Sequence, residues 1–117
     1  MRNPYDLRVT ELAFVIAELT YEATAQFPAS ERFGLVTQMR RAAVSIGSNI
    51  AEGCGRSTDA QLVNFLNYAS GSATELEFQA RIAIRLKLGI PPQLIALCDL
   101  LTSERKMLAT YARRFSP

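Results

Sequence analysis

Apolar positions recur at helical spacing in four stretches, and Pro or Gly separates each stretch from the next. Val9, Leu12, Ile16, Leu19 and Ala23 follow a 3-4-3-4 rhythm that predicts a helix over residues 7–26. Leu35, Met39, Ala42, Ile46 and Ile50 predict a second over residues 30–53, with Ser30 as its N-cap and Gly53 as its stop. Leu62, Leu66, Ala69, Ala73, Leu76, Ala80 and Ala83 keep heptad spacing and predict a third over residues 58–88. More than half of that stripe is Ala, so a partner helix must approach closely. The fourth, over residues 92–115, opens on Pro92, a favoured first-turn residue, and carries Leu94, Leu97, Leu101, Leu108, Tyr111 and Phe115, interrupted by Glu104. No stretch alternates apolar and polar residues as a strand does. Four helices with short connections predict an all-α, up-down-up-down four-helix bundle spanning residues 1–117 as one domain.

Two helices carry more apolar surface than one core requires. Leu7, Phe14 and Tyr21 recur every seven residues on the side opposite Leu12 and Ile16, and in the second helix Ala43, Gly47 and Ala51 follow at intervals of four. Isolated exposed apolar groups are ordinary, but a contiguous stripe marks a contact. Leu7, Phe14, Tyr21, Ala43 and Gly47 are therefore the expected interface with another subunit.

The polar positions form a second pattern. Gln38, Arg41, Ser45, Asn49 and Glu52 line one flank of the second helix, and Ser72, Glu75 and Gln79 lie beside the Ala stripe of the third. The expected arrangement is a structural network of Gln38, Arg41, Ser45, Asn49, Glu52, Ser72 and Glu75 that fixes helix register, with Arg41 paired to Glu75. A ligand site on the same residues is the alternative.

Composition narrows the chemistry. The 117 residues include no His and no Trp, and the two cysteines, Cys54 and Cys98, share no C-x-x-C. That leaves no His-based triad, no expected metal site and no disulfide framework. Glu52 and Glu75 could pair as carboxylates, but bundle metal sites use Glu-x-x-His. Cys54, between two glycines and near Arg56, could have a lowered pKa but lacks an adjacent base. The expectation is a protein that is not an enzyme and uses no cofactor. The opening residues have no apolar signal-peptide region and no stretch approaches a membrane span, which predicts a cytoplasmic location without a membrane partner.

Net charge is only +2, but 11 of the 13 basic residues are Arg, the residue of bidentate phosphate contacts. Residues 31–56 and 89–117 each sum to +2, whereas residues 1–30 sum to −2 and residues 57–88 to zero. One copy has a solvated face; a ring of copies would repeat the patches into a substantial field. Arg32, Arg40, Arg56, Arg105, Arg113 and Arg114 are the candidate nucleic-acid-binding residues.

The run Phe27-Pro28, Glu31, Phe33-Gly34-Leu35, Gln38-Met39-Arg40-Arg41-Ala42-Ala43, Ser45-Ile46, Asn49-Ile50-Ala51-Glu52-Gly53, Gly55-Arg56 resembles the four-helix bundle family of proteins encoded in 23S rRNA intervening sequences. Phe65, Ala69, Gly71-Ser72, Glu75-Leu76 and Leu88-Gly89 extend the resemblance over nearly the whole chain. One departure is Gly47, where the family often has Pro. The resemblance implies a homopentameric barrel, as in characterised relatives. One relative, the accessory protein of diversity-generating retroelements, binds a reverse transcriptase and contacts nucleic acid. It thus implies RNA or an RNA–DNA duplex as a partner, with a reverse transcriptase or another protein as a further one. The rival expectation is a scaffolding oligomer with protein partners only.

Overall fold

A computed structural model describes residues 2–116. Four helices are present: α1 (Arg8–Thr24), α2 (Thr37–Cys54), α3 (Asp59–Arg85) and α4 (Pro91–Arg113), with no strand among the described residues. Each helix packs on its neighbour in sequence, and α1 closes on α4, so the four make an antiparallel bundle measuring 45 × 22 × 20 Å.

The core follows the apolar stripes. All seven expected positions of α3 are buried, as are Met39, Ala42, Ile46 and Ile50 of α2 and Leu94, Leu97, Leu101 and Leu108 of α4. In α1 the buried face is rotated from the expected one. Val9, Ile16 and Ala23 are buried together with Ala13, Thr20 and Thr24, while Leu12 and Leu19 stand at its edge. The threonines tolerate burial because their hydroxyls donate back along the helix, Thr20 to the Ile16 carbonyl and Thr24 to the Thr20 carbonyl, both at 2.7 Å.

The second helix departs most from expectation. It does not begin at Ser30, which lies in a short 3-10 turn, Ala29–Glu31. A wide π-type turn, Arg32–Val36, follows, broken at Gly34 (φ −109°, ψ −108°), and regular helix starts only at Thr37. The Thr37 hydroxyl donates to the Arg32 carbonyl five residues back at 2.6 Å and closes the wide turn.

The other ends are set by local chemistry. Thr58 caps α3, its hydroxyl accepting from the Gln61 amide at 3.2 Å. At the far end the Lys87 amide bonds to the Ile84 carbonyl and the Leu88 amide to the Ala83 carbonyl, the pairing of a Schellman motif. Its left-handed position is Lys87, at φ +59°. A side chain there costs about 1 kcal/mol. Lys87→Gly is therefore expected to raise the urea midpoint at unchanged m, by about 0.5–1 kcal/mol of stability. Gly89 is also left-handed (φ +70°), and a Cβ there would sit 2.6 Å from the Phe27 ring, so the connection to α4 closes directly onto the end of α1. At the opposite end, a Cβ on Gly53 would lie 2.9 Å from the Phe65 Cβ, so Gly53 lets α2 and α3 converge.

That end is tied by Arg2. Its amide donates to the Cys54 carbonyl, its guanidinium pairs with Asp59, and it stacks 4.6 Å from the Phe115 ring centre. The starts of α1 and α3 and the ends of α2 and α4 thus share one end of the bundle.

One carboxyl group lies in the core. Glu104 is completely buried, and neither carboxylate oxygen has a hydrogen-bond partner. Burial pushes its pKa up to about 8.

Candidate nucleic-acid interface

The six candidate arginines do not converge on one surface. Arg56, Arg113 and Arg114 lie at the end tied by Arg2, whereas Arg32 lies at the opposite end, before α2. Arg40 is a structural clip. Its guanidinium donates to the Thr24 hydroxyl at 2.9 Å and the Tyr21 carbonyl at 3.3 Å and stacks 4.5 Å from the Tyr21 ring centre, fastening the end of α1 to α2. Arg105 is committed to Glu77 at 2.6 Å, which also pairs with Arg81 at 2.9 Å. Burial pushes the Glu77 carboxyl up, but the two guanidiniums outweigh it and hold it below its ordinary range. Arg40 and Arg105 thus each hold partners within the subunit, which leaves them less available to phosphate.

The other guanidiniums are more available. Arg56 pairs with Glu52 across one helical turn at 3.1 Å and stacks on Phe65, an exposed arrangement worth little that phosphate can displace. Arg113 and Arg114 are exposed and form no ion pair among the described residues; Arg113 reaches the Thr110 hydroxyl and Arg114 lies beside the Tyr111 ring.

The expected polar network is smaller than its pattern. Ser45 and Ser72 join α2 to α3 through their hydroxyls at 2.9 Å, and the Asn49 amide donates to both the Ser45 hydroxyl and carbonyl. Arg41 does not pair with Glu75. Both are exposed, where such a pair gains little, and the Glu75 carboxylate instead accepts from Gln79 at 3.5 Å. Gln38 is exposed, and Glu52 belongs to Arg56. With Ser45 opposite Ser72, Glu52 falls about ten residues along α3 from Glu75, roughly 15 Å, so the two carboxylates make no pair. No group of three or more Cys, Asp or Glu side chains placed to hold a metal occurs among the described residues. Cys54 is buried, and burial pushes its thiol up more than Arg2 lowers it, the opposite of an activated nucleophile.

The expected interface residues divide. Phe14, Ala43 and Gly47 line an apolar groove of about 290 Å³ between α1 and α2, with Tyr5 and Val44 on its rim. Phe14 is half exposed and stacks on Tyr5, ring centres 6.5 Å apart. Ala43 is nevertheless buried within the subunit, and a Cβ on Gly47 would meet Ala13 at 3.6 Å, so these small residues first serve the approach of α1 to α2. Tyr21 is exposed but occupied by Arg40. Leu7 is not on the stripe. It precedes the helix in an extended conformation and faces a different cleft, between α1 and α4.

That second cleft, of about 420 Å³, brings together Arg8, Lys106 and Arg114, of which only Arg114 is among the candidate residues read from the sequence. The available signal was the spacing of Lys106, Thr110 and Arg114, four residues apart on one face of α4.

No helix of the described residues is long and apolar enough to cross a membrane. No curated protein matches the chain. A solved structure from Bacteroides thetaiotaomicron, described as a protein of unknown function from the S23 ribosomal protein family, shares the fold. The TM-score is 0.80 at 24% identity, covering 90% of this chain and 95% of that one. Residues 5–110 match the family of 23S rRNA-intervening sequence proteins, and the chain belongs to that family.

Proposed function

We propose that this protein is a non-enzymatic, cytoplasmic, homo-oligomeric RNA-binding protein that presents one basic end of the bundle, repeated around the axis of a pentameric ring, to phosphate backbones. The observation that carries the reading is the exposed pair Arg113 and Arg114, in no ion pair among the described residues, on the end that also holds Arg56. Repetition turns two guanidiniums per copy into a ring of them. A reverse transcriptase is a protein partner compatible with the family resemblance.

The test is fluorescence-anisotropy binding to a structured RNA at about 50 and 200 mM salt, with solution mass measured on the same sample. If the ring neutralises six or more phosphates, affinity falls about a thousandfold or more between those concentrations. Arg113→Glu with Arg114→Glu is expected to weaken binding at unchanged mass; unchanged affinity removes this end from the site. The apolar groove between α1 and α2 favours a second reading, a scaffold with protein partners only. An oligomer that binds no RNA at the lower salt would establish that reading instead.

A further inference from the structure

We propose that the cleft between the first turn of α1 and the last turns of α4 binds a phosphomonoester carried by a nucleoside, either a free nucleotide or the 5′ end of an RNA. In its RNA-end form the inference rests on the RNA-binding reading above; in its free-nucleotide form it stands without it.

Charge is the first argument. Arg8, Lys106 and Arg114 line the cleft, Asp6 is its one acidic residue, and none of the four makes an ion pair among the described residues. Four other basic groups are already paired: Arg2 holds Asp59, Arg56 holds Glu52, and Arg81 and Arg105 share Glu77. Three cations brought together against one carboxylate leave an excess of two. A phosphomonoester carries about −1.5 to −2 near neutral pH, which matches that excess; a carboxylate or an internal phosphodiester, at −1, does not. The start of α1 adds the same sign, because Leu7 supplies no side-chain cap to its positive end.

Shape is the second argument. The cleft has about 420 Å³, within the range of small-molecule sites and more than an inorganic anion needs. Leu7, Met107 and the ring of Tyr111 form its apolar part. Tyr111 is held edge-on against Phe115, ring centres 5.2 Å apart, so it offers a fixed surface for a base while the cations take the phosphate.

The experiment compares matched probes at about 50 mM salt: adenosine 5′-monophosphate against adenosine, and one short RNA with a 5′-phosphate against the same RNA with a 5′-hydroxyl. The expected result is a preference of about tenfold or more for the phosphorylated member of at least one pair. The pair that shows it identifies the source of the phosphate. Arg8→Gln with Lys106→Gln, both at exposed positions, is expected to abolish the preference with helix content and melting temperature kept, and to leave binding of the 5′-hydroxyl RNA in place. Nucleotide binding without any RNA binding would support the cleft and overturn the RNA reading. Equal binding within both pairs, or a preference that survives the double substitution, would overturn the cleft even if RNA binding through Arg113 and Arg114 holds.

Discussion

Glu104→Leu is expected to stabilise the subunit by about 3 kcal/mol at pH 7, and by an amount that changes with pH. Glu104 is fully buried among core leucines of α4, with both oxygens unpartnered, and its pKa rises from 4.5 to about 8. A carboxyl whose folded pKa is raised holds its proton more tightly in the folded state. Stability from this group is therefore fully present below about 4.5 and is lost as pH climbs toward 8, levelling off above. Each pH unit removes about 1.4 kcal/mol, so the span of 3.5 units between the two values amounts to roughly 5 kcal/mol. Leucine at this site has similar volume, no charge and no unmet hydrogen bond. Urea unfolding of both proteins from pH 5 to 9 checks the expectation, since titration of every other group cancels in the difference. A difference that stays flat with pH would mean that the carboxyl is not the buried, unpaired group described.

The second large effect is on assembly. Phe14→Asp is expected to separate the oligomer into folded subunits, read as a drop in solution mass at unchanged helix content. Phe14 is 52% exposed in the subunit, so the substitution leaves the core intact. In an assembly that fills the groove, burial of the remaining half of the ring would be worth about 1 kcal/mol, and a carboxylate in its place would cost several more to desolvate. Weakening by a hundredfold or more follows for each contact. The occupant we favour is a second copy. Phe78, 67% exposed, stands at a depression of about 340 Å³ formed with Glu77, Arg81 and Arg105 between α3 and α4, the face opposite the groove. An apolar groove on one face and an aromatic side chain on the other would suit a head-to-tail contact between copies, the kind that forms a ring where the rotation closes. Phe78→Asp is then expected to dissociate the oligomer as well. Native mass in the Phe14 variant would remove the groove from the interface.

The fold was largely legible because burial depends on spacing. The Ala and Leu positions of α3 announce its buried face without ambiguity, and Pro92 marks a helix start within one residue of the observed one, Pro91. The start of α2 was hidden, because Ser30 and the apolar positions after it have the pattern of a helix while Gly34 breaks it. The rotation of α1 was hidden for another reason: Thr20 and Thr24 count as polar in any pattern, yet their hydroxyls are satisfied within the helix. The candidate site was less legible. A guanidinium is a long lever, and segment charge cannot tell Arg40, folded back on Tyr21, from Arg113, which is exposed and reaches only the Thr110 hydroxyl of its own helix. Grouping of Arg8 with Lys106 requires knowing that α1 closes on α4, a contact between residues far apart in sequence.

The irregular segment before α2 has a consequence for how stability is distributed. Residues 25–36 contain no regular α-helix, and beyond its core packing the end of α1 is clipped by Arg40 of α2 and met by Gly89, whereas α3 is held on both flanks by tight, capped connections. Local opening should therefore begin with α1. The groove that Phe14 borders spans that same seam. A neighbour seated in it would hold down the part of the bundle that opens most readily, so the resistance of α1 to opening would depend on protein concentration while that of α3 would not.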